Sequence, residues 1–144
     1  MAAVPADARY RARRALNPFH AVFLAGTLPL FLGALLGDIA YARTYDIQWQ
    51  NFASWLIVGG LVFCGITLVC AIVGLFRGRR DGRGILYALL VLAAFVVGFV
   101  NALVHAKDAW AMMPEGPLLS AVVLVLALAA TWIGFAGYRH RGDA

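Results

Sequence analysis

Residues Phe52–Phe76 read FASWLIVGGLVFCGITLVCAIVGLF, and residues 77–84 continue RGRRDGRG. The first stretch has 25 residues without a Lys, Arg, Asp or Glu, and the second opens with Arg77, Arg79, Arg80 and Arg83. As a helix rising about 1.5 Å per residue, the apolar run covers roughly 38 Å, enough to cross a bilayer core of about 30 Å with some tilt. Its residues do not alternate in polarity, as the strands of a membrane barrel must. The same texture recurs in Pro18–Gly37, Gly84–Ala106 and Gly116–Tyr138, which are also free of charge. The sequence therefore predicts an all-α membrane protein, an antiparallel bundle of four transmembrane helices over about 18–41, 52–76, 84–106 and 116–138.

Composition agrees. Hydrophobic residues make up 63% of the 144 and charged residues 13%, against about 45–50% and about 25% in an ordinary soluble domain. A soluble chain of this size could not hide so much apolar surface, whereas a lipid bilayer is a solvent for it. The organisation is a basic tail over 1–16, one transmembrane domain over 17–141 and a short tail over 142–144. The net charge of +5 does not point to nucleic acid, because the basic residues sit in short clusters between apolar runs. Such clusters set topology.

Arg9, Arg11, Arg13 and Arg14 precede the first run, Arg77 to Arg83 lie between the second and third, and Arg139 and Arg141 follow the fourth. Four crossings put all ten on one side, leaving Arg43 and Lys107 on the other. By the positive-inside rule both termini and the middle loop are cytoplasmic. Ala40-Tyr41-Ala42 resembles a signal-peptide cleavage site. The preceding run, however, exceeds the about 7–15 residues of a signal core, and Asp38 interrupts it, so the first helix is expected to be retained. Asn17-Pro18 reads as a cap followed by proline in the first turn. Trp49, Trp55 and Trp110, with Tyr41 and Tyr45, are expected to form an aromatic belt at the outer surface. Gly78, Gly82 and Gly84 make the second and third spans a tight hairpin.

Within the bundle, Gly26, Gly33, Gly37 and Ala40 form a small-residue face for helix packing. Pro29 is expected to kink the first helix, with Thr27 satisfying a freed backbone group. His20, Thr27, Phe31, Ala34 and Asp38 share an inward face, on which His20 and Asp38 lie five turns or about 27 Å apart. Gly98, Asn101, His105 and Asp108 share a face of the third helix. Two polar groups at two depths follow: Asp38, Asn101, His105 and Asp108 near the outer surface, within reach of water, and His20 with His140 near the inner one. Cys64 and Cys70 would point about 240° apart on a helix, so they cannot pair and read as small buried apolar residues.

Several of these segments resemble one family. Asn17-Pro18-Phe19-His20, Gly33-Ala34-Leu35-Leu36-Gly37-Asp38-Ile39-Ala40-Tyr41, His105-Ala106-Lys107-Asp108-Ala109-Trp110 and Tyr138-Arg139-His140 are similar to the predicted bacterial membrane proteins called domain of unknown function 2231, over about Asn17 to Arg141. That family usually opens with a His-Pro-x-His-type motif and closes with Tyr-Arg-His-Gly. Here Asn17 stands where the first histidine would, His20 keeps the second, and Arg141 intervenes before Gly142. The resemblance implies a bacterial inner-membrane location. Because some relatives are joined to Rieske-type or cytochrome-type domains, it also implies a redox setting.

Three readings of function follow. The leading one is a membrane anchor or accessory subunit that packs against membrane or redox protein partners. The second is a haem b electron carrier with His20 and His140 as axial ligands, since two neutral histidines from different helices can hold such a haem. The third is a proton or cation site at the outer cluster of Asp38, Asn101, His105 and Asp108, because ionisable groups at membrane depth are costly to bury. A structural Asp38–His105 or Asp38–Lys107 pair competes with it. An enzyme is not expected. Ser54 and Ser120 lack the sequence context of a nucleophile, no phosphate-binding loop is present, and the histidines have no zinc-site spacing.

Overall fold

The computed structural model of the protein describes residues 17–77 and 81–139. They form four long helices: α1 (Pro18–Thr44), α2 (Ile47–Phe76), α3 (Gly82–His105) and α4 (Glu115–Arg139). A short 3₁₀ turn, Ala109–Met112, lies between α3 and α4. All four helices are long and apolar enough to cross a membrane. The basic tails, including Arg9 to Arg14, Arg141 and His140, lie outside the described residues, as do Arg79 and Arg80 of the middle loop.

Side chains capping exposed amides set the helix starts. The Asn17 side chain accepts from Phe19 N (3.0 Å) with Pro18 next in line, Asp46 accepts from Gln48 N (3.0 Å), and Asp81 accepts from Gly84 N (3.1 Å). The Asp46 cap explains why α2 begins five residues before the apolar run at Phe52: the helix starts at its cap and the hydropathy signal only at the lipid-facing part. Tyr45 ends α1 in the left-handed conformation (φ 55°), its N–H bonded to Tyr41 O, so two residues suffice to reverse the chain into α2.

The helices close a square in which α1 packs on α2 and α4, and α3 on the same two neighbours. The α1–α2 seam is the closest. A Cβ at Gly37 would lie 3.1 Å from Ala53 Cβ and 3.2 Å from the Trp49 carbonyl, and one at Gly60 would overlap the Phe31 ring. The small residues of α1 thus serve packing inside the bundle, as their spacing predicts. Thr27 departs from expectation. Its hydroxyl donates to Leu24 O (2.7 Å), not to the Ala25 carbonyl that Pro29, lacking an N–H, leaves free. The inward face of α1 holds throughout, with His20, Thr27, Phe31, Ala34 and Asp38 all buried.

Outward, the spans are apolar and aromatic. Between 22 and 33% of each span's most apolar stretch is buried by the chain itself, and Trp55, Phe76, Trp110 and Trp132 are each more than 70% exposed. A soluble protein would not leave such a perimeter open, while hydrocarbon solvates it. Tyr41 leaves the expected aromatic belt. It is buried with Val104 and Met112, while Tyr45 is exposed with its ring tilted against Trp110 at 5.8 Å. Cys64 is buried as expected, but Cys70 is half-buried. It lines an open apolar groove of about 650 Å³ with Leu61, Gly65, Phe95 and Phe99.

Candidate functional site

At the end of the bundle where α1 and α3 finish, each of the four helices contributes a buried polar side chain. Asp38 comes from α1, Gln50 from α2, Asn101 and His105 from α3, and Ser120 from α4. Asp38 is fully inaccessible and His105 is 4% exposed, so neither reaches water as the sequence suggested. Asp38 lies within α1, His105 is the last residue of α3, and the buried apolar group of Tyr41, Val104 and Met112 comes from the same end of the bundle.

The contacts are short and continuous. His105 Nε2 lies 2.8 Å from Asp38 Oδ1, and His105 Nδ1 lies 3.0 Å from the Asn101 carbonyl one turn back. Ser120 Oγ donates to Asp38 Oδ2 (2.5 Å) and accepts from Asn101 Nδ2 (2.9 Å). The path therefore closes on itself: Asn101 amide, Ser120 hydroxyl, Asp38 carboxyl, His105 ring, Asn101 carbonyl. Gln50 Nε2 donates to the His105 carbonyl (3.1 Å) and brings α2 into the same network. Gly116 makes room for the ring, since a Cβ there would lie 3.0 Å from His105 Cε1 and 3.4 Å from Met112 Sδ. Asn101 Oδ1 is one of three buried side-chain oxygens without a hydrogen-bond partner among the described residues, with those of Thr67 and Thr131.

One expected member, Asp108, falls outside this circuit, as does Lys107, the alternative partner for Asp38. Asp108 is exposed because α3 ends at His105; the chain has turned by the time it reaches Asp108, so the shared helical face does not extend to it. Lys107 does not pair with Asp38. It faces Glu115 at 3.6 Å in an exposed pair on the surface, a contact worth little in water. Conversely, Ser120, Gln50 and Gly116 belong to the site without having been singled out as members of it. The order of the circuit also differs from a nucleophile, base and orienting acid. The Ser120 hydroxyl points at the carboxyl rather than at an imidazole nitrogen, and both nitrogens of His105 are engaged elsewhere.

At the opposite end, His20 is buried and its Nε2 lies 2.7 Å from the Tyr87 hydroxyl on α3. Arg83 reaches across from α3 to the Ile133 carbonyl of α4 (3.3 Å). The second expected haem ligand, His140, is outside the described residues. In this arrangement the Nε2 that would take an axial iron is engaged with the Tyr87 hydroxyl.

One protein family's model, that of a predicted membrane protein (DUF2231), matches residues 16–142. No curated protein and no solved structure matches the chain.

Proposed function

The chain belongs to the DUF2231 family of predicted membrane proteins, and from that premise we propose that it is a rigid four-helix accessory subunit of a bacterial inner membrane. Its apolar perimeter packs against lipid and other membrane proteins. Both termini and the α2–α3 loop face the cytoplasm, in keeping with the ten arginines at that end, and the polar circuit lies in the outer half.

One observation carries this reading. The buried polar side chains of the outer half bond to one another across all four helices, so they lock the bundle and offer no open polar pocket to a substrate. Interhelical hydrogen bonds hold membrane helices together where the hydrophobic effect cannot, since lipid tails are as apolar as leucine. The wiring of Ser120 to a carboxyl supports a non-enzymatic role.

Direct extraction of native membranes into nanodiscs, followed by native mass spectrometry, tests the proposal. The expected result is co-extraction with another membrane protein at a fixed ratio. Recovery of the single chain surrounded only by lipid would overturn the subunit reading. Reporter fusions at residue 144 and at the Tyr45–Asp46 turn test the orientation. A reporter active only outside the cytoplasm should work at the turn and fail at the terminus.

A further inference from the structure

The polar circuit has a proton count that its geometry fixes. The Asn101 carbonyl can only accept, so His105 Nδ1, 3.0 Å away, carries a hydrogen. Ser120 accepts from the Asn101 amide, so its own hydrogen points at Asp38 Oδ2, which acts as an acceptor. One contact is then undetermined: Asp38 Oδ1 and His105 Nε2 at 2.8 Å. Two bare lone pairs cannot face each other at that distance, so one proton lies between them.

We propose that the Asp38–His105 pair is a proton-binding site, holding one exchangeable proton in a closed compartment entered from the end of the bundle that carries the 3₁₀ turn. With the proton on Nε2 the pair is a carboxylate and an imidazolium. With it on Oδ1, the N–H bond breaks, an O–H bond forms, and the pair is a carboxylic acid and a neutral imidazole. Both forms have zero net charge, which lets the pair sit fully buried. Removing the proton leaves a net negative charge and a neutral ring with one N–H facing two acceptors, so one link of the circuit must open. The other charged side chains at this end are Arg43 and Asp46 at the α1–α2 turn, Lys107 and Asp108 after α3, and Glu115 on α4; all five are exposed. The barrier to water is apolar. Met112 is fully buried in the 3₁₀ turn, and its Sδ and the His105 ring both border the space that a Cβ on Gly116 would take. Opening that turn uncovers the ring, so Met112 is the stopper of the compartment.

Histidine-selective ¹⁵N NMR in lipid nanodiscs reads the site directly, because the chain has three histidines and His105→Gln identifies the relevant signals. The expected spectrum shows Nδ1 protonated and a second proton bridging Nε2 and Asp38. Asp38→Asn is the fold-preserving comparison. Its amide oxygen accepts from Ser120 and its N–H donates to Nε2, so the circuit survives while the bridging proton is lost and Nδ1 stays protonated. A bare Nδ1, or no bridging proton in the unmodified protein, overturns the proposal. In D₂O, Met112→Ala should speed exchange of the bridging proton by on the order of tenfold or more, since exchange of a buried site is limited by local opening. An unchanged rate overturns entry past Met112.

Discussion

Replacing Ser120 with alanine removes one oxygen and breaks two bonds, each joining a different pair of helices. The bond to Asp38 Oδ2 joins α4 to α1, and the bond from Asn101 Nδ2 joins α3 to α4. Interhelical hydrogen bonds in membrane proteins contribute about 0.6 kcal/mol on average and up to about 1.7, so two of them give about 1–3.5 kcal/mol. Here the upper half of that range is expected, because the partners left behind are inaccessible and an unmet buried polar group costs about 1–3 kcal/mol. The expected loss is therefore about 2–3 kcal/mol in reversible unfolding, by detergent titration or steric trapping in bicelles. Ser54→Ala is the matched control. Its hydroxyl donates to the Gln50 carbonyl of its own helix at 2.9 Å, half-buried and joining no two helices, and its loss should cost within about 0.5 kcal/mol. Equal effects of the two substitutions would refute the argument that the circuit locks the bundle.

Gly37→Val should destabilise by about 1–3 kcal/mol, because the new side chain meets the Trp49 carbonyl and Ala53, which cannot yield as a flexible side chain would. Gly82→Ala, with nothing within 4 Å of the added carbon, should be neutral on the same assay. Tyr87→Phe removes the partner of His20 Nε2 and should cost about 0.5–1.7 kcal/mol by the same titration. Cys70, in its open groove, should react with a maleimide well before Cys64, which is buried and donates to the Val91 carbonyl at 3.6 Å. Mass spectrometry of partially labelled protein would show the order, and prior labelling of Cys64 would contradict its burial between the helices.

Much of the fold was legible because hydropathy and helical period are local. The four spans, the inward face from His20 to Asp38 and the placement of Asn101 and His105 on one side of α3 all follow from counting along a single helix. Asp108 shows where such counting fails: the 100° period was carried three residues past the point where α3 ends. Ser120 and Gln50 could not be assigned in this way. A polar residue's partner on another helix depends on rotation and axial offset between helices, and neither is written in any one segment. A usable signal did exist, since Ser120 lies four residues past Gly116 at the start of its apolar run and Asp38 lies at the end of its own, so the two share a depth. Of the two pairs the sequence leaves open for Asp38, the one with His105 forms and the one with Lys107 does not. A long flexible cation can reach an exposed Glu115 without leaving water, whereas reaching Asp38 would require giving up its hydration.

The two-residue turn at Tyr45–Asp46 also has a consequence for biosynthesis. It joins α1 and α2 as one close pair, and Asp38 is made 67 residues before His105 and 82 before Ser120. Until α3 arrives the carboxyl has no partner from that helix, and until α4 arrives Oδ2 has no donor from Ser120. The last quarter of the chain therefore closes the circuit, and a chain that stops short of Ser120 leaves Asp38 Oδ2 without its donor from α4.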